Sequence, residues 1–72
     1  MAMTLKSARM GRTYTIQKLD IDDRELRRFL LTLGLFCGEK IRVVSRLRGG
    51  MIVAIRGSRY FIDGKLARAI VI

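Results

Sequence analysis

Apolar residues recur along this chain with two different periods, and the change of period divides it into elements. Within IDDRELRRFLLTLG, residues 21–34, Leu26, Phe29, Leu30 and Leu33 stand at i, i+3, i+4 and i+7, the spacing of one face of an α-helix. All four are therefore expected to face a core. Asp22 is placed to cap the helix, and Glu25 three positions on completes a capping-box spacing. Ile21 and Leu26 have the spacing of a hydrophobic staple. Gly34 stands where a left-handed residue ends a helix, with Leu35 folding back on Leu30 in a Schellman contact.

On either side the period is two. RTYTIQKL puts Tyr14 and Ile16 on one face, with Thr13, Thr15 and Gln17 on the other. EKIRVVSRL puts Ile41, Val43, Ser45 and Leu47 opposite Arg42, Val44 and Arg46. Gly49-Gly50 predicts a tight hairpin turn into the strand MIVAIR, Gly57-Ser58 a second turn into RYFI, and Asp63-Gly64 a further break. KLARA reads as one short helical turn before a last strand, AIVI. This order predicts a mainly-β fold: a small SH3-like barrel of about five short antiparallel strands, with one α-helix inserted between the first and second strands. An OB-fold is the alternative, although its helix usually lies between later strands. A ferredoxin-like fold needs a second full helix that the pattern does not supply.

Length changes this picture little: 72 residues suit a single domain spanning 1–72, half of them apolar, with no proline and no repeat. The opening MAMTLKSARMGR lacks the apolar run of a signal peptide. The longest apolar stretch, Phe29 to Cys37, is interrupted by Thr32 and Gly34 and is far shorter than the ~20 residues of a membrane helix. A cytoplasmic protein without direct membrane insertion is expected. Charge changes the picture more. Fifteen Lys and Arg against six acids give +9, which favours anionic partners: nucleic acid, the inner membrane face or an acidic protein surface. The bases are dispersed, so solubility alone is the simpler account of them.

Candidate chemistry is sparse. Cys37 is the single cysteine and there is no histidine, so neither a disulfide nor a Cys/His zinc set can form within the chain. A thiol without a base reads as an inert turn residue, a ligand shared between two subunits staying open. The acids of DIDDRE have an adequate cause in the helix cap and dipole. No catalytic residue, metal ligand or cofactor is expected, and the protein is read as no enzyme. What remains is surface. Leu30, Leu33 and Leu35 are expected to pack inward, while Phe36 is either a core ring or an exposed aromatic. An apolar patch around Leu35 and Phe36, with Arg24, Arg27 and Arg28 on the polar helix face, is the candidate partner-binding site.

The order and spacing of LRRFLLTLGLFCGEKIRVVSRL, MIVAIRGSRYFI and LARAIVI resemble the FeoA family from about Gly11 onwards. These are small SH3-like cytoplasmic proteins that accompany the membrane ferrous-iron transporter FeoB. The same module forms the C-terminal domain of iron-dependent repressors. Cys37 departs from the family pattern, which has proline there. The resemblance implies an accessory protein that docks on FeoB, with the LGL turn in its docking face. The alternative is a nucleic-acid-binding barrel using its basic surface, although such binders expose stacking aromatics and Phe29 is expected in the core. Self-association through the apolar strands MIVAI and AIVI, giving a homo-oligomer, is a further possibility.

Overall fold

Residues 3–72 are described by the structure, a computed structural model. The β-rich half folds as the glycine punctuation requires. Strands β3 (Lys40–Leu47), β4 (Gly50–Ile55) and β5 (Ser58–Asp63) form an antiparallel meander. Its turns are the two-residue loops Arg48-Gly49 and Arg56-Gly57, each one residue earlier than the sequence suggests, because Gly50 pairs with Leu47 and Ser58 with Ile55. Gly50 has a different task. A Cβ there would lie 2.3 Å from the Ile62 carbonyl oxygen and 2.6 Å from Phe61 Cζ, so only a bare backbone fits.

The predicted first strand is two. β1 (Thr13–Thr15) pairs with β3, whereas β2 (Lys18–Leu19) pairs with β6 (Ile70–Val71). Ile16 and Gln17 make the corner. The Ile16 N–H still donates to Glu39 O at 2.8 Å, and the next N–H, of Gln17, already donates to Val71 O at 2.7 Å. The chain thus passes between a four-stranded sheet, in the order β1-β3-β4-β5, and a two-stranded one, which is how the small barrel closes. KLARA lies in the six-residue helix α2 (Gly64–Ala69), capped by Asp63 Oδ1 accepting from the Leu66 N–H at 2.7 Å. Ala67 of α2 is buried, and α2 packs against a 3-10 turn at Leu5–Ser7.

One further expectation is corrected in the strands. Val43 pairs with Val53 and Ser45 with Ile52, so Val44 is the extra residue of a β-bulge. The bulge reverses the alternation beyond it, and Leu47 faces outward, 51% exposed, instead of sharing the face of Ile41 and Val43. MIVAI lies in β4, hydrogen-bonded to both β3 and β5, whereas AIVI runs into β6, which pairs with β2 in the two-stranded sheet and meets Thr4 through an isolated bridge.

Helix α1 runs Arg24–Leu33, and its cap is Asp23, not Asp22. Asp23 Oδ1 accepts from the N–H groups of Glu25 at 3.0 Å and Leu26 at 3.2 Å. Glu25 is then the second helical residue, so no capping box forms, and Ile21 lies one position too early for a staple. Arg27 holds this register: its guanidinium donates to Leu19 O at 2.7 Å and Ile21 O at 3.2 Å, keeping the entering chain alongside the first turn. The core stripe of α1 is narrower than its apolar pattern. Leu30 is buried and Leu26 and Leu33 are partly so, but Phe29 is 57% exposed, on the flank. A helix resting on so small a barrel has only one row of side chains to bury. The core itself joins Leu30 and Leu35 to Ile16, Ile41, Val53 and Ile70, and no polar side chain is buried among the described residues.

Candidate docking site

The site is built where α1 ends. Gly34 turns left-handed at φ 97°, which lets the Gly34 N–H donate to Leu31 O at 3.1 Å and the Leu35 N–H to Leu30 O at 2.9 Å. This is the Schellman closure the sequence predicts. It drives Leu35 fully into the core. Leu35 therefore cannot touch a partner; the structure makes it the buried footing of the site. Gly34 also sits close on the β4–β5 hairpin, where a Cβ would meet Ile55 Cγ2 at 3.1 Å.

Phe36 follows, half-buried, and opens a four-residue turn closed by the Glu39 N–H donating to Phe36 O at 3.1 Å. Gly38 has φ 94°, as the third position of a type II turn requires. Cys37 occupies the second position, the one proline favours in such turns. Its thiol donates to Gln17 O at 3.1 Å, and the Gly38 N–H donates to Ile16 O at 2.8 Å, so the turn is fastened to the corner between the sheets.

Arg56 braces this turn from the opposite hairpin. Its guanidinium carbon lies 5.3 Å from the centre of the Phe36 ring, over the ring face. The same guanidinium binds the Glu39 carboxylate through Nε at 2.6 Å and Nη2 at 3.0 Å. Those hydrogen bonds hold the Glu39 carboxyl below the usual carboxylate range, and Arg56 is held above its ordinary value by the same contact. Phe36 thus carries on its ring face a cation that is itself tied to Glu39. Beside it, Gln17, Lys18, Leu19, Arg27, Leu31 and Cys37 complete a shallow cleft of about 380 Å³.

Of the sequence-predicted residues, the structure brings Phe36 and Arg27 to this cleft. Arg24 and Arg28 are exposed on the adjoining helix face, seven and three residues before Leu31, and do not line it. Sequence reasoning missed Leu31, Lys18 and Arg56. Leu31 had a signal, being an apolar residue outside the i, i+3, i+4, i+7 set. Arg56 had none, because its partners are brought close only by the barrel. Among the described residues, no group of three or more Cys, Asp or Glu side chains is placed to hold a metal ion. No helix among them is long and apolar enough to cross a membrane.

These features define a small SH3-like domain with a braced aromatic at one corner. The FeoA domain family model matches residues 3–72, and the chain belongs to the FeoA family. Similar solved structures include three that bear on the fold and family. The crystal structure of an iron uptake regulatory protein (FeoA) is 25% identical, with a TM-score of 0.79, over 99% of this chain and 93% of that one. The solution structure of a FeoA protein from Chlorobium tepidum is 23% identical, with a TM-score of 0.85, over 94% of this chain and 66% of that one. A manganese-dependent transcriptional repressor is 26% identical, with a TM-score of 0.85, over 99% of this chain. The chain spans only 40% of that repressor's length. No curated protein sequence matches.

Proposed function

We propose that this protein is a cytoplasmic, non-enzymatic accessory of ferrous-iron uptake that docks on the membrane ferrous-iron transporter FeoB through the Phe36 corner. Family membership supports the link to iron, as do the relatives described as an iron(II) transport protein A, from Clostridium thermocellum, and an iron uptake regulatory protein. The observation that carries the docking mode is the placement of Phe36: half-exposed, with the Arg56 guanidinium on its ring face, and set in a cleft with Leu31 and Arg27. A pre-oriented aromatic loses little freedom on binding, and the surrounding arginines orient an anionic partner. The test is a pull-down from transporter-containing membranes. The pair Phe36→Ala and Arg28→Glu is expected to weaken capture by about tenfold or more. Equal capture by wild type and variant overturns the docking mode.

One observation favours the nucleic-acid reading. Phe29 and Phe61, at 57% and 53%, are exposed on a chain of charge +9. Stacking on such rings with phosphate neutralisation predicts affinity for single strands that falls steeply with salt. Salt-insensitive or absent binding removes this reading.

A further inference from the structure

The face of the four-stranded sheet turned away from the core carries an ordered pattern. Ile41, Val43, Val53, Ile55 and Ile62 are buried, so their neighbours along each strand point outward. The register places Arg42, Ala54 and Arg59 in one row across β3, β4 and β5. The next row sets Ile52 beside Phe61, and the row after it sets Leu47, Gly50 and Asp63 side by side, the Asp63 carboxylate being engaged by the Leu66 N–H. Phe61 leans along the sheet toward that last row, reaching over the bare Gly50. The bulge at Val44 turns Leu47 to this same face. The result is an apolar strip of Leu47, Phe61 and Ile52 alongside a row of two arginines.

The fold accounts for only part of this. Covering the bare Gly50 of β4 explains an aromatic at position 61, yet Phe61 stays 53% exposed and Leu47 51% exposed. The arginines are unexplained by folding. With strands ~4.8 Å apart, Arg42 and Arg59 stand about 10 Å from one another across Ala54. Among the described residues neither guanidinium has a hydrogen-bond or ion-pair partner, the ion pair there being Arg56 with Glu39.

We propose that this outer face of β3, β4 and β5 binds an acidic segment of a partner protein that carries an apolar side chain. Carboxylates of the segment pair with Arg42 and Arg59, and its apolar side chain packs on Phe61 and Leu47. Charge chooses the occupant. A second copy of this chain, paired about a two-fold axis, would set arginine against arginine. A single nucleic-acid strand needs successive stacking rings, and this face offers one. A bilayer is entered by side chains that stand out, whereas Phe61 lies along the sheet. The surface is distinct from the Phe36 corner. Arg56 lies beyond the Ile55 end of β4, and Leu47 pairs with Gly50 at its other end, five residue steps or about 17 Å away; the Arg42–Ala54–Arg59 row is one step from Ile55 but on the face turned away from the core.

The test titrates isotope-labelled protein with a short synthetic peptide in which glutamates alternate with leucines. An oligothymidylate strand and phosphatidylglycerol vesicles form separate arms. The peptide is expected to shift the amide resonances of Ile52, Ala54, Arg59 and Phe61. The double variant Arg42→Glu, Arg59→Glu should weaken it by about tenfold or more, and Phe36→Ala should leave it unchanged. Both arginines are exposed, so the double variant tests the face without disturbing the core; Phe61→Ser tests the apolar half separately. Absence of shifts at millimolar peptide, shifts centred on Phe36, or indifference to the arginine variant overturns the proposal. Tighter binding of this face to oligothymidylate or to vesicles overturns it as well.

Discussion

Arg56 grips Glu39 with two hydrogen bonds, at 2.6 and 3.0 Å, while the same guanidinium lies over the ring of Phe36. One cation therefore ties the β4–β5 turn to the turn after α1 and orients the aromatic between them. The geometry of the corner is a property of the closed barrel, since residues 39 and 56 lie on different loops.

The contact fixes a pH dependence. The Glu39 carboxyl is held below its ordinary value, so the pair strengthens the fold above the carboxylate range and is lost as pH falls through the depressed folded value. Carbon-detected titration of Glu39 is expected to give a midpoint below that of a free glutamate. In Arg56→Ala the midpoint should move back up, and the Phe36 ring resonances should average toward those of a mobile side chain.

Asp23, and not Asp22, caps α1, so the two aspartates should respond differently to alanine. Asp23→Ala is expected to cost ~1 kcal/mol through the loss of both cap hydrogen bonds. Asp22→Ala should stay within about 0.5 kcal/mol of wild type. Urea denaturation of the two variants measures the difference, and equal losses contradict the observed cap.

Adjacent residues on α1 should differ even more. Leu30 is 3% exposed, and Leu30→Ala is expected to cost about 2–5 kcal/mol. Phe29→Ser next to it, on the solvent flank, should change stability by less than about 0.5 kcal/mol. A large loss at Phe29 in denaturation experiments would place that ring in the core after all.

Cys37 sits where a type II turn accepts proline, and among the described residues its N–H donates to no partner. Cys37→Pro should raise stability by ~0.4–1 kcal/mol through a stiffer unfolded chain, offset in part by the lost thiol bond to Gln17 O. A fall in melting temperature would show that the thiol matters more than the turn.

The helix end was legible because its signals are local: Gly34, Leu35 and Leu30 lie within six residues, and the hydrogen bonds that close the helix join neighbours. Strand periodicity in β3, β4 and β5 was legible for the same reason, and so was the SH3-like class. What escaped depends on distant parts of the chain. Alternation continues unbroken through Ile16 and Gln17 although the strand changes sheets there, because the corner is imposed by Glu39 and Val71. The Val44 bulge leaves no mark in KIRVVSRL, and it alone decides that Leu47 faces solvent. Phe29 satisfied the helical period, but the period says nothing about how wide a stripe the barrel can cover. At the candidate site, Phe36 and Arg27 were readable from the helix and its stop, whereas Arg56 reaches them only through tertiary structure.

The passage of one extended segment between two sheets has a consequence for the order of assembly. The β3–β4–β5 meander joins near neighbours and can form as soon as it leaves the ribosome. Lys18 and Leu19 must wait for Val71 and Ile70, some fifty residues downstream. Between completion of the meander at Asp63 and the arrival of Ile70 and Val71 the trough stays open, its greasy interior exposed until that last pairing seals it, and that interval is when a chaperone has something to hold.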